Sequence, residues 1–234
     1  MDNANIGRHI SGQFNHDLEN VINQAMHMGG LVEKQLSDAL KSISQADREL
    51  AQQVLQNDYQ INKLDVSIDD ECTRIIAKRQ PAAGDLRLIM AIVKTVADLE
   101  RIGDEVERIA QVTLESLSGP QRDLLLSVDD LGHEVLALLQ STLNAFTRMD
   151  VKAALKAHKT DEKIDQSYEI LMRQLMTHMT ENPSSVPQLM TVIWAARALE
   201  RIGDRCQNIC EYIIYFVKGK VVRHTSAEDI KKLI

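Results

Sequence analysis

Leu99-Glu100-Arg101-Ile102-Gly103-Asp104 recurs letter for letter as Leu199-Glu200-Arg201-Ile202-Gly203-Asp204. Six identical residues in the same order, one hundred positions apart, point to an internal duplication. Around both copies apolar residues return every three or four positions, the period of a packed helix seam. Val186, Leu189, Ile193, Ala196, Glu200 and Gly203 form one such run, and Val54, Ile61, Ile68, Cys72 and Ile75 form another on the helix preceding the first copy. With the repeat on the third helix of each half, each half reads as a three-helix bundle.

Composition agrees with an all-α chain. Among 234 residues, Gly 10, Pro 4 and 3% aromatics give too few turn-formers and too little strand-type chemistry for a sandwich or barrel. Lys and Arg number 27 against 34 Asp and Glu, a net charge of -7, the wrong sign for direct nucleic-acid binding. The longest apolar runs, Leu88–Val93 and Tyr212–Val217, fall far short of the ~20 residues of a membrane span, so no membrane insertion is expected. Three cysteines cannot all pair within one chain, and Met1–Ile10 lacks a basic segment followed by an apolar stretch. Both features point to a reducing, cytoplasmic setting.

Six long helices in two tandem, internally duplicated bundles follow from the punctuation. Phe14, Leu18, Val21, Ala25, Met28 and Val32 mark the first helix, with Gly29-Gly30 as a bend or a close contact. The second is expected from an Asp47 cap to Gln80, where Pro81 ends it, and the third from about Ala82 to Leu117. Ser118-Gly119-Pro120 is the boundary between residues 1–118 and 119–218. A fourth helix carries Leu124, Val128, Leu131, Val135, Leu138 and Thr142, Asp150 caps a fifth, and Asn182-Pro183-Ser184-Ser185 precedes a sixth reaching about Lys218. Residues 219–234 read as a charged, mobile tail. The two bundles are expected to be related by an approximate twofold, without one core mixing helices of both halves.

Glu100 and Asp104, like Glu200 and Asp204, are four apart and share a helix face, so each pair presents oxygen ligands to one region of space. The same spacing occurs on solvated helix faces, and a partner helix decides between the readings. In a hairpin folded at Pro81, residues equidistant from the turn lie side by side, which sets Asp58 against Asp104 and Asn62 against Glu100. About the Asn182–Pro183 turn the same reflection sets Asp161 against Asp204 and Asp165 against Glu200. The second half thus gathers four carboxylates, the first three and an amide, and divalent cations are expected at the second set first. Such acids repel unless solvated, protonated or neutralised by metal. Asp65 with Asp69 and Asp165 with Glu169 have the same spacing but lie nearer the bends.

The mid-helix Gly103 and Gly203 suggest close approach of a neighbour, with a merely tolerated glycine as the alternative. Arg101 and Arg201 read as solvated, with pairing to an acidic partner surface as the alternative, and Cys206 and Cys210, unmatched in the first half, as small core residues rather than zinc ligands. No His lies three residues after a Glu, so the di-iron bundle element is missing, as are the phosphate-binding Gly loop, Gly-x-Ser-x-Gly and His-Glu-x-x-His.

Ser11-Gly12-Gln13-Phe14-Asn15, Met28-Gly29-Gly30-Leu31-Val32-Glu33, Arg74-Ile75-Ile76-Ala77-Lys78-Arg79-Gln80-Pro81, Asp85-Leu86-Arg87, the doubled hexapeptide and its continuation Arg205-Cys206-Gln207-Asn208-Ile209-Cys210 together resemble the PhoU family of phosphate-signalling regulators. The resemblance spans nearly the whole chain. It implies a cytoplasmic, non-enzymatic negative regulator that links a phosphate ABC transporter ATPase to a sensor histidine kinase, with a homodimer as the expected assembly. It also implies metal ions on acidic motifs, here Glu100 with Asp104, Glu200 with Asp204 and Asp161 with Asp165, while Asn62 departs from the acidic pattern. The expected cofactors are divalent or multinuclear ions, Mg, Mn, Fe or Zn, with Ca equally suited to all-oxygen ligands. A metal-dependent hydrolase and a purely structural helical scaffold are the alternatives; phosphoester turnover would mark the first and absence of ion binding the second.

Overall fold

Helix ends form where the sequence supplies caps and breakers. Asp47 accepts the Leu50 N–H at 3.0 Å, and Asp150 accepts those of Lys152 and Ala153 at 2.9 and 3.1 Å. Each cap contributes about 1 kcal/mol. Gln80, in front of Pro81, is driven into the left-handed region (φ 46°) and donates its N–H to the Ile76 carbonyl. Gly219 (φ 67°) closes the last long helix in the same way on Tyr215.

The computed structural model describes residues 12–115, 120–223, 225 and 227–233. Among them the regular elements are all helical: α1 (Gly12–Gln45), α2 (Arg48–Asn57), α3 (Tyr59–Arg79), α4 (Ala83–Leu114), α5 (Pro120–Arg148), α6 (Val151–Glu181), α7 (Val186–Lys218) and α8 (Ala227–Leu233), with a 3-10 turn at Pro183–Ser185. The chain is all-α with six long helical stretches, α2 and α3 together making the second.

Three expectations about the helices and the tail are corrected. The single helix expected over 47–80 is interrupted at Asp58, where the Ile61 N–H bonds the Asp58 carbonyl at 2.9 Å in a tightened turn. The interruption falls on the residue whose carboxylate is buried against α4. The expected mobile tail contains α8, which packs on α6 and buries Ile230 completely, with Val222 also buried. Those two apolar side chains anchor a segment that its charge makes look free. α4 ends at Leu114 rather than Leu117; Ser118, Gly119 and the Met1–Ile10 segment lie outside the described residues.

α1 packs on α2, α3 and α4, and α5, α6 and α7 pack on one another, so each half groups its own helices. The groups do not keep separate cores, however. α4 lies along α7 and α1 against α5, and buried side chains of both halves form one continuous cluster. The cause is legible in α4, which buries Leu88, Ile89, Ala91, Ile92, Val96, Leu99 and Ile102, a face too wide for one three-helix bundle to cover. Leu18, Met28, Leu36, Ile61, Ile92 and Ile102 are fully shielded, each worth about 1.5–3 kcal/mol. Gly29 is a close contact: a Cβ there would stand 2.7 Å from Leu143 Cδ2 of α5.

Candidate metal centre

Both copies of the repeated hexapeptide place their glycine against an aspartate of the preceding helical segment. A Cβ on Gly103 would meet Asp58 Oδ1 at 2.9 Å and Ile61 Cδ1 at 3.3 Å; on Gly203 it would meet Asp161 Oδ1 at 2.6 Å and Ile164 Cγ2 at 3.5 Å. An Asp-x-x-Ile element therefore docks on the same glycine in each half, and the glycines are there for close approach.

In the first half Asp58, Asp104 and Glu107 each offer a carboxylate oxygen within 4.8 Å of the others. Glu107 is the residue that the reading of the sequence missed; it follows Asp104 by three, on the same face of α4. The Asn62 side-chain amide donates to Asp58 Oδ2 at 2.9 Å, and Asp58 Oδ1 is buried with no hydrogen-bond partner. Burial, then the charge of Asp104, pushes the Asp58 carboxyl above its ordinary value, and the Asn62 bond draws it partly back. Glu107 is raised by burial and by Asp58 and Asp104, and Glu100 by burial, Asp104 and Asp65.

In the second half Asp161 is only 3% exposed, and burial, then Asp165 and Asp204, pushes its carboxyl up to about 7 against the opposing pull of His158. Asp165 and Glu200 are raised by burial and by Asp204, and Asp204 by burial against the pull of Arg205, Arg197 and Arg201. Arg197 donates to Glu200 Oε1 at 2.9 Å, while Glu200 Oε2 and Asp161 Oδ1 are buried without partners. Asp65 is raised by burial and by the charge of Asp69, and Glu169 adds to the rise at Asp165.

The duplication exchanges one acid between the sets: Asn62 stands where the second half has Asp165, and Gln207 where the first has Glu107. Glu107 thereby removes the difference in acid count on which a preference for the second set rests. Buried carboxylate oxygens lacking donors, held beside further acids, suit a hard cation with oxygen ligands. Cys72, Cys206 and Cys210 are free and buried; desolvation pushes the Cys72 and Cys210 thiols up to about 12, which suits core residues rather than thiolate ligands. Arg201 and Arg101 are not simply solvated. Arg201 crosses from α7 to Glu105 of α4 at 3.1 Å, while Arg101 and Arg205 approach buried Asp98 at 3.5 Å.

Fold and site define a class: an internally duplicated, all-helical protein with glycine-backed acids at the same place in each half, of which, among the described residues, the first half and not the second brings three carboxylates within 4.8 Å of one another. The PhoU domain profile matches residues 25–113 and again 128–213, and the chain belongs to the PhoU family. It is 50% identical over 234 residues to the phosphate-specific transport system accessory protein PhoU of Serratia marcescens, covering 100% of this chain and 96% of that one. The protein of the same name from Escherichia coli (strain K12) is 48% identical, with 100% and 97% covered. The crystal structure of PhoU from Pseudomonas aeruginosa superposes with a TM-score of 0.83 at 45% identity, over 89% of this chain and 100% of that one. The phosphate transport system regulatory protein PhoU from Streptococcus pneumoniae gives 0.81 at 29% identity, over 90% and 99%. Among the described residues no helix is long and apolar enough to cross a membrane.

Proposed function

We propose that this chain is an accessory regulator of phosphate uptake that represses phosphate-starvation signalling from the cytoplasm. It bridges a phosphate ABC transporter ATPase and a sensor histidine kinase without catalysing a reaction, and it works as a homodimer. Residues 1–118 and 119–218 are the two duplicated units of this adaptor. The observation that carries the reading is the doubled glycine-backed carboxylate cluster in a chain whose relatives are named for accessory and regulatory roles in phosphate transport.

Asp58, Asp104 and Glu107, with Glu100 beside them, hold a divalent cation in one half; Asp161, Asp165, Glu200 and Asp204 hold one in the other. A bound cation supplies the positive charge that these acids lack. Each cluster joins two helical segments, so an occupied site favours the folded, partner-binding form by mass action, about 2.7 kcal/mol at an ion concentration a hundredfold above Kd. The linkage is reciprocal, and partner binding tightens the ion.

The test is partner capture with and without chelator, together with starvation-gene expression in cells lacking the chain. Loss of repression at high phosphate is expected on deletion, and weaker capture of the kinase and ATPase on chelation. Full repression in the deletion strain overturns the regulatory reading; unchanged capture after chelation overturns the role given to the ions.

A further inference from the structure

α4 and α7 run antiparallel, as the pairs Glu105 with Arg201 and Glu115 with Thr191 show, and the duplication maps each α4 position onto α7 one hundred residues on. The seam between them therefore has two equivalent ends. At one end the Lys94 ammonium lies 5.5 Å from the Tyr212 ring centroid and 5.7 Å from that of Tyr215, and the Tyr212 hydroxyl donates to Asp98 at 2.9 Å. The chain's own phenol rings occupy that end. At the other end the equivalent positions hold Trp194 for Lys94, Val112 for Tyr212 and Glu115 for Tyr215. Two rings are missing, and a cavity of about 390 Å³ takes their place, lined by Val112, Glu115, Trp194, Arg108, Arg197 and Arg201.

The lining has a chemical direction. Trp194 is 58% exposed beside the cavity, an indole surface left to solvent where its counterpart lies over two rings. Three guanidiniums converge here in a chain of net charge -7. Arg108 and Arg201 share the single carboxylate of Glu105, and Glu115 accepts from Thr191 at 2.6 Å.

We propose that this open end of the α4–α7 seam is a docking site for an aromatic side chain flanked by carboxylates on another polypeptide. The occupied end shows what fills such a space in this fold, aromatic rings of a helix set against a long side chain. The arginines supply the charge complementarity for acidic neighbours. Arg197 ties this surface to the second acidic cluster, because the guanidinium that lines the cavity is the one that donates to Glu200. A partner carboxylate that draws Arg197 away leaves Glu200 with both oxygens free for a cation. The docking site deepens the adaptor reading by giving it a face, and it is tested without either of the proposed partners.

Trp194 is the chain's only tryptophan, so its fluorescence reports on this cavity. The full chain is titrated with an acetylated Asp-Glu-Tyr-Glu-Asp peptide, with the same peptide carrying Ala for Tyr, and with one carrying Lys for every acid. The expected result is a saturable change for the first and at least tenfold weaker responses to the other two. The exposed-site variants Arg108→Glu and Arg197→Glu are expected to lose the response at least tenfold, and Val112→Tyr/Glu115→Tyr, which rebuilds the occupied end, to abolish it. No saturation by the acidic tyrosine peptide, or equal responses to the lysine peptide, overturns the proposal. So does saturation by adenosine monophosphate with no response to the peptide, since that makes the cavity a small-ligand site. Because neither kinase nor ATPase is present, failure here is separate from failure of the adaptor reading.

Discussion

Replacing Asp161 with Asn removes the carboxyl that burial and neighbouring acids push from an ordinary 3.8 up to about 7. At 1.36 kcal/mol per pH unit, that difference of about 3 units is worth about 4 kcal/mol as an upper bound. Asp161 is buried, but its partner Asp165 is exposed, and water around Asp165 screens the repulsion, which brings the expectation to about 2 kcal/mol. The sign follows from where the proton is held. A carboxyl with a folded-state value above its unfolded value keeps its proton better when folded, so its contribution is whole below pH 3.8 and is lost as pH rises through about 7. In chelator, the unsubstituted protein should therefore lose about 2 kcal/mol of stability between about pH 4 and 7 from this group. The Asp161→Asn variant should show a shallower fall and be the more stable protein at the upper end. Adding Mn²⁺ at the alkaline end should reverse the order, since only the unsubstituted cluster keeps its full ligand set. Urea unfolding followed by circular dichroism measures both. Stability that stays flat or rises with pH in chelator, with the Asn variant no more stable, would refute the picture of mutually repelling buried acids.

Glu107→Gln should weaken Mn²⁺ binding at the first cluster tenfold or more in calorimetry, and Gln207→Glu should strengthen the second, because the duplication has exchanged these acids. Gly203→Ala gains about 1 kcal/mol of helix propensity but drives a methyl to 2.6 Å from Asp161 Oδ1, so cation affinity should fall while unfolding midpoints move little. Gly103→Ala, at 2.9 Å from Asp58 Oδ1, should do the same more weakly. Asp98→Ala strips the buried acceptor from Tyr212, Arg101 and Arg205, and should cost about 2–3 kcal/mol in urea unfolding, below the full penalty of a broken buried pair since both arginines reach solvent.

Much of this architecture is written in local signals. Asp47 and Asp150 cap helices as their side-chain chemistry dictates, and Pro81 and Pro183 mark the hairpin bends. Reflection about those bends was enough to bring Asp58 to Asp104 and Asp161 to Asp204, because antiparallel helices of equal rise keep equidistant residues together. The interruption at Asp58 was not legible, since neither Gly nor Pro stands there and its backbone stays in the right-handed helical region. Glu107 is hidden in the sequence because its counterpart in the second half is Gln207, so the duplication carries no paired acid at that position. The merged core was hidden for another reason: a wide apolar face on α4 says that a second neighbour exists, but only the assembled fold shows that it is α7. The pairs of Arg201 with Glu105 and of Tyr212 with Asp98 depend on that same packing.

The central claim is that the duplicated clusters hold cations, and anomalous diffraction from crystals of the full chain soaked in Mn²⁺ tests it most directly. Two peaks are predicted, one touching Asp58, Asp104 and Glu107 and one touching Asp161 and Asp204. Density at neither cluster at millimolar Mn²⁺, with the carboxylates contacting only water, would contradict the account.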